Sequence, residues 1–452
     1  MRHGAPLDLT RGPVLEQIVR FSIPMLIGNL FQQLYTIVDS ILLGRLVSPQ
    51  ALAAAGTVTP VTMLMLSVFS GFTLGTSLVT AALTGAGEKK EIRRLVESTF
   101  ASSMLLGIVM ASAAFFLPEA ILGALRTPGD VFSLSVQYLR IVAVGILFQC
   151  AYQYSADVLR GLGDSRTPLY FLLLSTSLNI ALDIVFTALL HLGVRGVAWA
   201  TVLAQAVSAV LCIRYSLRRY DCFVLTPDLR RTDLSLLWRA ARLGLPTAVQ
   251  QAVGSLGALS MQSVVNSFGS VSMNAYGAAY KVDNFIMLPV SNMGMALGTF
   301  VAQNVGARAY GRARSGFRRL SVLCAVLSVT LSAAIFVFAE PLVQIFVSAG
   351  ETAIVREGAR GLRILAVPYV LCSQLTLYMS YFKGAGDVRV ALGGSLSQVL
   401  IRVAICFSLA PVIGMDAVWL AMPATWLLVG GFSFFYERSQ DWEKRWKTDL
   451  HV

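Results

Sequence analysis

The stretch Thr167–Leu190, TPLYFLLLSTSLNIALDIVFTALL, carries a single charged side chain, Asp183. About 20 mostly apolar residues are enough for an α-helix to cross the hydrocarbon core of a bilayer. Because lipid offers the backbone no hydrogen-bond partners, a helix is the default conformation of such a segment. The stretch therefore predicts a membrane-spanning helix that contains one carboxylate.

Eleven further stretches share this composition. Two of them, Ile141–Leu159 and Val390–Gly414, have one charge each, Asp157 and Arg402. The whole chain is 56% hydrophobic and 13% charged, whereas soluble domains carry about 25% charged residues. We therefore expect an all-α integral membrane protein with twelve transmembrane helices. The nine stretches without Asp, Glu, Lys or Arg are Phe21–Val38, Leu46–Gly87, Ser98–Pro118, Gly196–Ile213, Leu243–Tyr280, Asn284–Ala307, Leu320–Ala339, Ile364–Phe382 and Ala417–Tyr436.

The net charge of +12 is placed asymmetrically. Loops predicted to lie on the same side as both termini hold most of the lysines and arginines, whereas the opposite loops hold Arg45, Arg126, Arg195, Arg356 and Arg360. Cytoplasmic loops carry the excess of Lys and Arg in membrane proteins. We therefore expect both termini to lie on the cytoplasmic side of the cytoplasmic (inner) membrane. The basic balance is a topology signal and does not indicate a nucleic-acid partner.

The chain contains an internal repeat. Tyr138–Gly145 reads YLRIVAVG and Gly361–Pro368 reads GLRILAVP; each is followed at the same distance by a glycine-rich turn, RGLGD at Arg160–Asp164 and KGAGD at Lys383–Asp387. The repeat predicts two pseudo-symmetric six-helix bundles. The expected domains are an N-terminal lobe at 1–220, a cytoplasmic linker at 221–235 and a C-terminal lobe at 236–452. Parallel repeats of this kind are typical of alternating-access carriers.

Charged side chains inside a membrane are costly and are therefore candidates for function. Asp157 precedes Arg160 by three residues, a spacing that favours a local ion pair. Lys281 and Asp283 are neighbours and are expected to pair or to reach the membrane interface. Asp39 and Asp183 have no partner close in sequence and are expected to lie deeper.

Asn179 and Asp183 are four residues apart and therefore share one face of a helix. Thr201 in the next predicted helix would place a hydroxyl at similar depth, and Asp39 would join if the first helix packs beside them. Two nearby carboxylates can carry a proton, and the same oxygen atoms could bind Na⁺. The alternative interpretation is polar contact between helices without a transport role.

The second repeat does not preserve these groups. Counted from the glycine-rich turns, Arg402 matches Asn179 and Cys406 matches Asp183, while Met261 falls near the position of Asp39. We therefore predict that the carboxylate chemistry belongs to the first half. Arg402 is interpreted as an internal counter-charge or, alternatively, as a substrate contact in the cavity.

Four motifs together resemble the multidrug and toxic compound extrusion (MATE) family, specifically its DNA-damage-inducible F-like prokaryotic branch. They are IPMLIGNLFQQLYTIVDSILLGRL at Ile23–Leu46, LRGLGDSRTP at Leu159–Pro168, NIALD at Asn179–Asp183 and GVAWATVLAQ at Gly196–Gln205. The resemblance covers essentially the whole chain. It implies the fold of the MATE family and its MOP superfamily, a V-shaped pair of six-helix bundles, and efflux of organic, often cationic, compounds in exchange for H⁺ or Na⁺.

The resemblance also implies roles for particular residues. The cation-coupling residues of this branch match Asp39, Asn179, Asp183 and Thr201. Gln33 and Tyr35 resemble polar residues near the family's amino-lobe cavity, and Pro24 resembles a proline at which the first helix bends. Pro24 and Pro246 are either gates or static kinks.

The expected function is secondary antiport without an organic cofactor, by a monomer whose partners are small organic substrates and the lipid bilayer. H⁺ is preferred over Na⁺ because no third anionic ligand is available at the predicted site. No enzyme motif is visible. A lipid-linked oligosaccharide flippase of the same superfamily is the alternative, and a channel or receptor is disfavoured by the one-sided carboxylates. The resemblance implies no cation site in the second lobe. The NorM-type branch of the family has acidic residues in helices 7 and 10, whereas these helices here offer Gln250, Gln251 and Gln374 and no carboxylate.

Overall fold

The computed structural model describes residues 6–224, 233–347 and 350–439, with the side chains of residues 40, 41, 45 and 46 excepted. Within these ranges every regular element is helical, which confirms the predicted all-α class. Short π-helical turns follow the first and sixth helices, at Leu43–Val47 and Val185–Leu189. The α-helices are α1 (Val14–Leu42), α2 (Pro49–Ala86), α3 (Lys89–Phe116), α4 (Pro118–Ala124), α5 (Gly129–Gly161), α6 (Arg166–Ile184), α7 (Gly193–Arg219), α8 (Leu234–Asn266), α9 (Ser270–Gly306), α10 (Tyr310–Gln344), α11 (Thr352–Ala366), α12 (Tyr369–Gly384), α13 (Val388–Ile413) and α14 (Asp416–Ser439).

Ten helices of the described residues are long and apolar enough to cross a membrane, and the bent pair α11–α12 makes eleven. The twelfth predicted span corresponds to α8, which has 33 residues. At 1.5 Å per residue that length exceeds the thickness of the hydrocarbon core. Its apolar stretch, which begins at Leu243, contains the polar residues Gln250 and Gln251. The chain is therefore a multi-pass membrane protein.

The predicted span Ile364–Phe382 is broken in the structure. α11 and α12 meet at Val367 and Pro368 and differ in direction by 58°. Proline lacks the N–H that would continue the helical ladder, and Pro368 itself has non-helical backbone angles, φ −89° and ψ 11°. α1 and α8, by contrast, continue as helices through Pro24 and Pro246.

The chain divides into two compact units. The first contains Met1–Asp8 and Ile23–Ala248, and the second contains Leu9–Ser22 and Val249–Val452. The boundary between these units lies inside α8, and most of the predicted linker 221–235 lies outside the described residues.

Close helix packing explains why the start of α8 belongs to the first unit. A Cβ atom on Gly71 would lie 2.4 Å from the Cα of Ala248, and one on Gly75 would lie 2.1 Å from the carbonyl oxygen of Ala240. Small residues allow membrane helices to approach this closely. α2 therefore packs its glycine face directly against the backbone of α8.

The segment before α1 is held in the second unit by hydrogen bonds. The Leu9 N–H donates to Gln303 Oε1 at 3.2 Å, and the Leu9 carbonyl accepts from Asn304 Nδ2 at 3.2 Å. Arg312 Nη1 donates to the Gly12 carbonyl at 2.8 Å. The Leu9 side chain is completely buried, so the segment is an integral part of this unit.

Candidate functional site

α6 places Asn179 and Asp183 one helical turn apart inside the first unit, where their side chains are 3% and 0% exposed. The helix passes into a π-helical turn directly after Asp183, at Val185–Leu189. Thr187 Oγ1 in this turn donates to the Asp183 carbonyl at 2.5 Å. π-helical turns inserted in α-helices occur frequently at functional sites, and this one follows the carboxylate immediately.

Asn179 connects Asp183 to α7. With its amide oriented so that both amide atoms are satisfied, Asn179 donates to Asp183 Oδ2 at 3.0 Å and accepts from the Thr201 N–H at 3.2 Å. In the opposite orientation its Nδ2 lies 3.3 Å from Thr201 Oγ1. Amide orientation is assigned from such networks. In either orientation the three residues form one polar group.

Asp39 of α1 lies within electrostatic range of Asp183 and of Tyr35. One oxygen of each carboxylate, Oδ1 of Asp39 and Oδ1 of Asp183, is buried and has no hydrogen-bond partner among the described residues. Buried polar atoms are normally paired, so each exception needs an explanation. The two unpaired oxygens can accept a proton or coordinate a hard cation.

Two tyrosines complete the group. Tyr35 Oη lies 3.5 Å from Thr201 Oγ1. Tyr138 of α5 is 9% exposed and lies within electrostatic range of Tyr35, Asp39 and Asp183. The sequence analysis missed Tyr138 as a site residue. A signal was present, because Tyr138 begins the repeated motif YLRIVAVG, whose second copy has Gly361 at that position.

A cavity of about 110 Å³ lies beside this group in the first unit. Its described lining residues contain no Lys or Arg, and their polar groups are amides, hydroxyls and phenols. The carboxylates themselves do not line it; Tyr35, Asn179 and Thr201 border it. These three residues therefore lie between the cavity and the carboxylates. The other polar lining residues are Gln32, Gln149, Tyr152, Gln153, Ser175, Thr176, Gln205 and Ser208.

The remaining candidates lie elsewhere. Pro24 is a buried residue near the start of the α1 segment that belongs to the first unit. Gln33 is half-buried on α1 and does not line the cavity. Arg402 lies on α13 in the second unit. The structure therefore groups Asp39, Asn179, Asp183, Thr201 and Tyr35, and no recorded contact among the described residues adds Pro24 or Gln33 to that group.

Asp157 forms the expected local pair. Its Oδ1 accepts from Arg160 Nη1 at 2.7 Å, and its Oδ2 accepts from Thr73 Oγ1 at 2.6 Å and from Gln153 Nε2 at 3.0 Å. Both carboxylate oxygens are therefore occupied. Asp157 therefore differs from Asp39 and Asp183, each of which has an oxygen without a hydrogen-bond partner among the described residues.

The expected pairing of Lys281 with Asp283 is wrong. Lys281 Nζ lies over the ring of Phe346, 5.6 Å from its centroid. Asp283 instead accepts a hydrogen bond from Tyr369 Oη at 2.5 Å. Residues two positions apart on a helix point to different faces, which explains why the side chains of Lys281 and Asp283 do not meet.

The matching positions of the second unit hold sulfur. Cys406 Sγ lies 3.2 Å from Met261 Sδ, and both side chains are buried. All six cysteines fall in described ranges and are free thiols. No group of three or more His, Cys, Asp or Glu side chains that could hold a metal ion occurs in the described part of the chain.

A repeated, all-helical membrane protein with buried carboxylates beside a polar cavity has the features of a secondary transporter. The sequence profile of the MatE family matches residues 24–185 and 246–408, one match in each repeat. The chain belongs to the MATE family of membrane transporters. Family membership also confirms that it is a transporter and not an enzyme, and that it needs no cofactor.

Individual relatives agree with this assignment. The chain is 29% identical over 431 residues to the probable multidrug resistance protein YpnP of Bacillus subtilis, covering 95% of this chain and 94% of that protein. It is 20% identical to the multidrug export protein MepA of Staphylococcus aureus, with 90% of each chain covered. A crystal structure described as MATE in the bent conformation superposes with a TM-score of 0.90 at 25% identity, covering 97% of this chain and 98% of the other.

Proposed function

We propose that this chain is a secondary antiporter that exports small organic compounds across the cytoplasmic membrane in exchange for H⁺ or Na⁺. The observation that carries the proposal is the pair of carboxylates, Asp39 and Asp183, each with one buried oxygen that has no hydrogen-bond partner among the described residues. They lie within electrostatic range of each other and next to a polar cavity. Nothing else in the described part of the first unit combines these features.

The two carboxylates supply the charge change that coupling needs. Ionised carboxylates at short range in a low dielectric repel each other strongly. A proton or Na⁺ taken up between them removes that repulsion. The pair then titrates as one unit rather than as two independent groups.

Asn179 and Thr201 pass this change to the cavity. Asn179 donates to Asp183 and also contacts Thr201, and both residues border the cavity. A cation on the carboxylates therefore alters the hydrogen-bonding surface that a substrate meets. Coupling requires such a difference in affinity between the loaded and unloaded states.

The coupling ion is proposed to be H⁺. The group offers two free carboxylate oxygens, and the other oxygens are neutral amide, hydroxyl and phenol groups. Na⁺ would need several oxygen ligands to replace its water, and no third anionic ligand lies in the group. If Na⁺ is the coupling ion, Asp39, Asn179, Asp183 and Thr201 are the residues that would hold it.

The proposed substrates are organic cations. The cavity is lined by glutamines and tyrosines and has no Lys or Arg among its described lining residues. Aromatic rings attract organic cations, and the adjacent carboxylates add a negative potential. The relatives' names, multidrug resistance and multidrug export, support a broad substrate range. The same lining gives the pyrophosphate of a lipid-linked oligosaccharide no cationic partner, which disfavours the flippase alternative.

The proposed organisation follows the repeat: two six-helix lobes at 1–220 and 236–452, joined by a cytoplasmic linker, with both termini cytoplasmic and a monomer as the working unit. The excess of Lys and Arg in one set of loops supports this orientation. Pro24 is proposed to allow bending of α1, because proline interrupts the helical hydrogen-bond ladder.

The test uses purified protein in sealed vesicles preloaded with a fluorescent organic cation, at zero membrane potential. A pH gradient or a Na⁺ gradient is imposed separately on wild type, Asp39→Asn and the control Glu340→Gln. Glu340 is an exposed partner of Arg363 in the second unit. We expect efflux driven by the pH gradient in wild type and control, and loss of that efflux in Asp39→Asn. Unchanged efflux in Asp39→Asn would contradict the site, and efflux that requires Na⁺ would change the coupling ion.

A further inference from the structure

The second unit has its own group of charged residues, which the proposed coupling does not use. Asp283 of α9 accepts a hydrogen bond from Tyr369 of α12, and Arg402 of α13 lies within electrostatic range of Asp283. Arg402 also lies within that range of Tyr276 and Cys372. The three helices therefore bring one carboxylate and one guanidinium together inside the unit.

Arg402 is the unsatisfied member of this group. It makes no hydrogen bond or ion pair with any residue that the structure describes, and its Nε atom is buried. Asp283 does not form an ion pair with it, and the one hydrogen bond of Asp283 goes to Tyr369. The residue as a whole is half-buried, and an unpaired charge inside a membrane span is unfavourable. The guanidinium therefore has free donors that need an acceptor.

The positions of the second unit that match the first-unit carboxylates offer Arg402 no oxygen acceptor. In the first unit the matching residue, Asn179, contacts a carboxylate and a threonine. In the second unit the positions that match the carboxylates are Met261 and Cys406, whose sulfur atoms lie 3.2 Å apart. Sulfur is only a weak hydrogen-bond acceptor. The second unit therefore has sulfur atoms at the two carboxylate positions and a guanidinium at the position of Asn179.

A guanidinium has five N–H donors in a planar fork, which matches the two oxygens of a carboxylate. The nearby carboxylate of Asp283 keeps the net charge of the group close to zero. A ligand with several negative charges would be repelled by Asp283, whereas a ligand with one carboxylate and one positive group satisfies both. The group therefore fits a zwitterion better than a simple anion.

We propose that the second unit contains a binding site for the carboxylate group of zwitterionic organic substrates, with Arg402 as the residue that binds it. The proposal rests on the proposed export function and names a substrate class for it. Asp283, fixed by Tyr369, acts beside Arg402 and selects against multiply charged anions. Substrates that lack the carboxylate do not use this site.

The test compares two rhodamine dyes that differ in one group: a zwitterion with a free carboxylate, and its ethyl ester, which is a monocation. Binding to purified protein is measured by fluorescence polarisation, without any gradient. For the zwitterion we expect Arg402→Gln to weaken binding about tenfold to a hundredfold, the range for a lost hydrogen-bonded charge. The ester should bind wild type and variant equally. Equal loss for both dyes, or no loss for either, would overturn the proposal.

Lys281→Gln is the matched control, because it removes another cation of the same unit, one that lies over Phe346; it should leave the ratio of the two affinities unchanged. If Arg402→Gln does not fold, Arg402→Lys keeps the charge but not the fork and should still weaken zwitterion binding several-fold; unchanged binding would overturn the proposal. Gradient-driven efflux of the ester is measured in parallel. Absence of ester efflux by wild type contradicts the export function, whereas an equal effect of Arg402→Gln on the two dyes contradicts only the Arg402 site.

Discussion

The two repeats use matching positions for different chemistry. In the first unit these positions hold Asp39 and Asp183, which lie within electrostatic range of each other. In the second they hold Met261 and Cys406, whose sulfur atoms are 3.2 Å apart. The approach of the two helices is therefore kept in both units, while the charges are kept in only one. The geometry of the pair is shared by the two units, and its chemistry differs.

A second difference concerns the space beside these positions. Tyr138 in the first unit places a phenol within electrostatic range of the carboxylates. The matching residue of the second unit is Gly361, and a Cβ atom there would lie 2.4 Å from the indole of Trp419. Trp419 is 1% exposed and donates from Nε1 to Glu357 at 3.3 Å. In the second unit the packed indole of Trp419 therefore occupies the space beside Gly361, whereas in the first unit the phenol of Tyr138 stands at the matching position.

The largest expected effect comes from comparing polar substitutions at the matching positions 183 and 406. Asp183→Asn should reduce gradient-driven efflux about a hundredfold, near the upper range of typical coupling energies, because the pair loses a group that binds the ion. Cys406→Ser, at the matching position, should change efflux less than about twofold, since a buried sulfur takes no part in coupling. Both are measured as initial efflux rates in vesicles. Similar losses in the two variants would remove the distinction between the units.

The packing difference makes its own prediction. Gly361→Ala should destabilise the protein by about 1–3 kcal/mol, the usual cost of overpacking a filled core, because the added methyl group meets Trp419. Gly277→Ala is the control, since nothing lies within 4 Å of a Cβ atom at that position. Thermal unfolding in detergent reports the difference. Equal stability of the two variants would show that Trp419 moves freely.

The hydrogen bonds of Asn179 should matter less than the carboxylates. Asn179→Ala removes its bond to Asp183 Oδ2 and is expected to lower coupled efflux about tenfold, as for a hydrogen bond to a charged group. Efflux at several pH values distinguishes a lost contact from misfolding, because a folded variant should change the pH dependence as well as the rate. An unchanged pH profile with a lowered rate would contradict a role in coupling.

The smallest expected effect belongs to Tyr35. Its hydroxyl approaches Thr201 Oγ1 at 3.5 Å, which is long for a hydrogen bond between two hydroxyl groups. Tyr35→Phe should lower efflux by about twofold to fivefold, the low end for a neutral hydrogen bond. A loss as large as that of Asp183→Asn would mean that the Tyr35 hydroxyl binds the ion or the substrate directly.

Most of the fold could be predicted because bilayer thickness fixes the length of an apolar span. The bent helix pair was only partly predicted, because most of α11 was left out of the predicted span. α11 carries its charges, such as Arg356 and Arg360, on an exposed face, while Ile354 and Leu362 are buried on the other. Counting charges alone therefore ended the predicted span at Ile364. The amphipathic spacing, which continues back to Thr352, held the missing information.

The candidate site was only partly predictable. The spacing of Asn179 and Asp183 placed them on one face, because the helix period is regular. Tyr138 and the partner of Asp283 could not be found in that way, since both depend on which helices pack side by side. Tyr369 reaches Asp283 from a helix that begins after the bend at Pro368. Long-range packing of this kind leaves no local pattern in the sequence.

The account's central claim is that binding of the coupling ion at the Asp39–Asp183 pair and binding of a substrate cation in the adjacent cavity oppose each other. The most direct measurement adds the rhodamine ester to purified protein in weakly buffered, Na⁺-free detergent solution and records proton release with a pH indicator. Because linkage is reciprocal, we predict proton release by wild type and by Arg402→Gln, and none by the double variant Asp39→Asn/Asp183→Asn. Equal proton release by wild type and the double variant would contradict the claim.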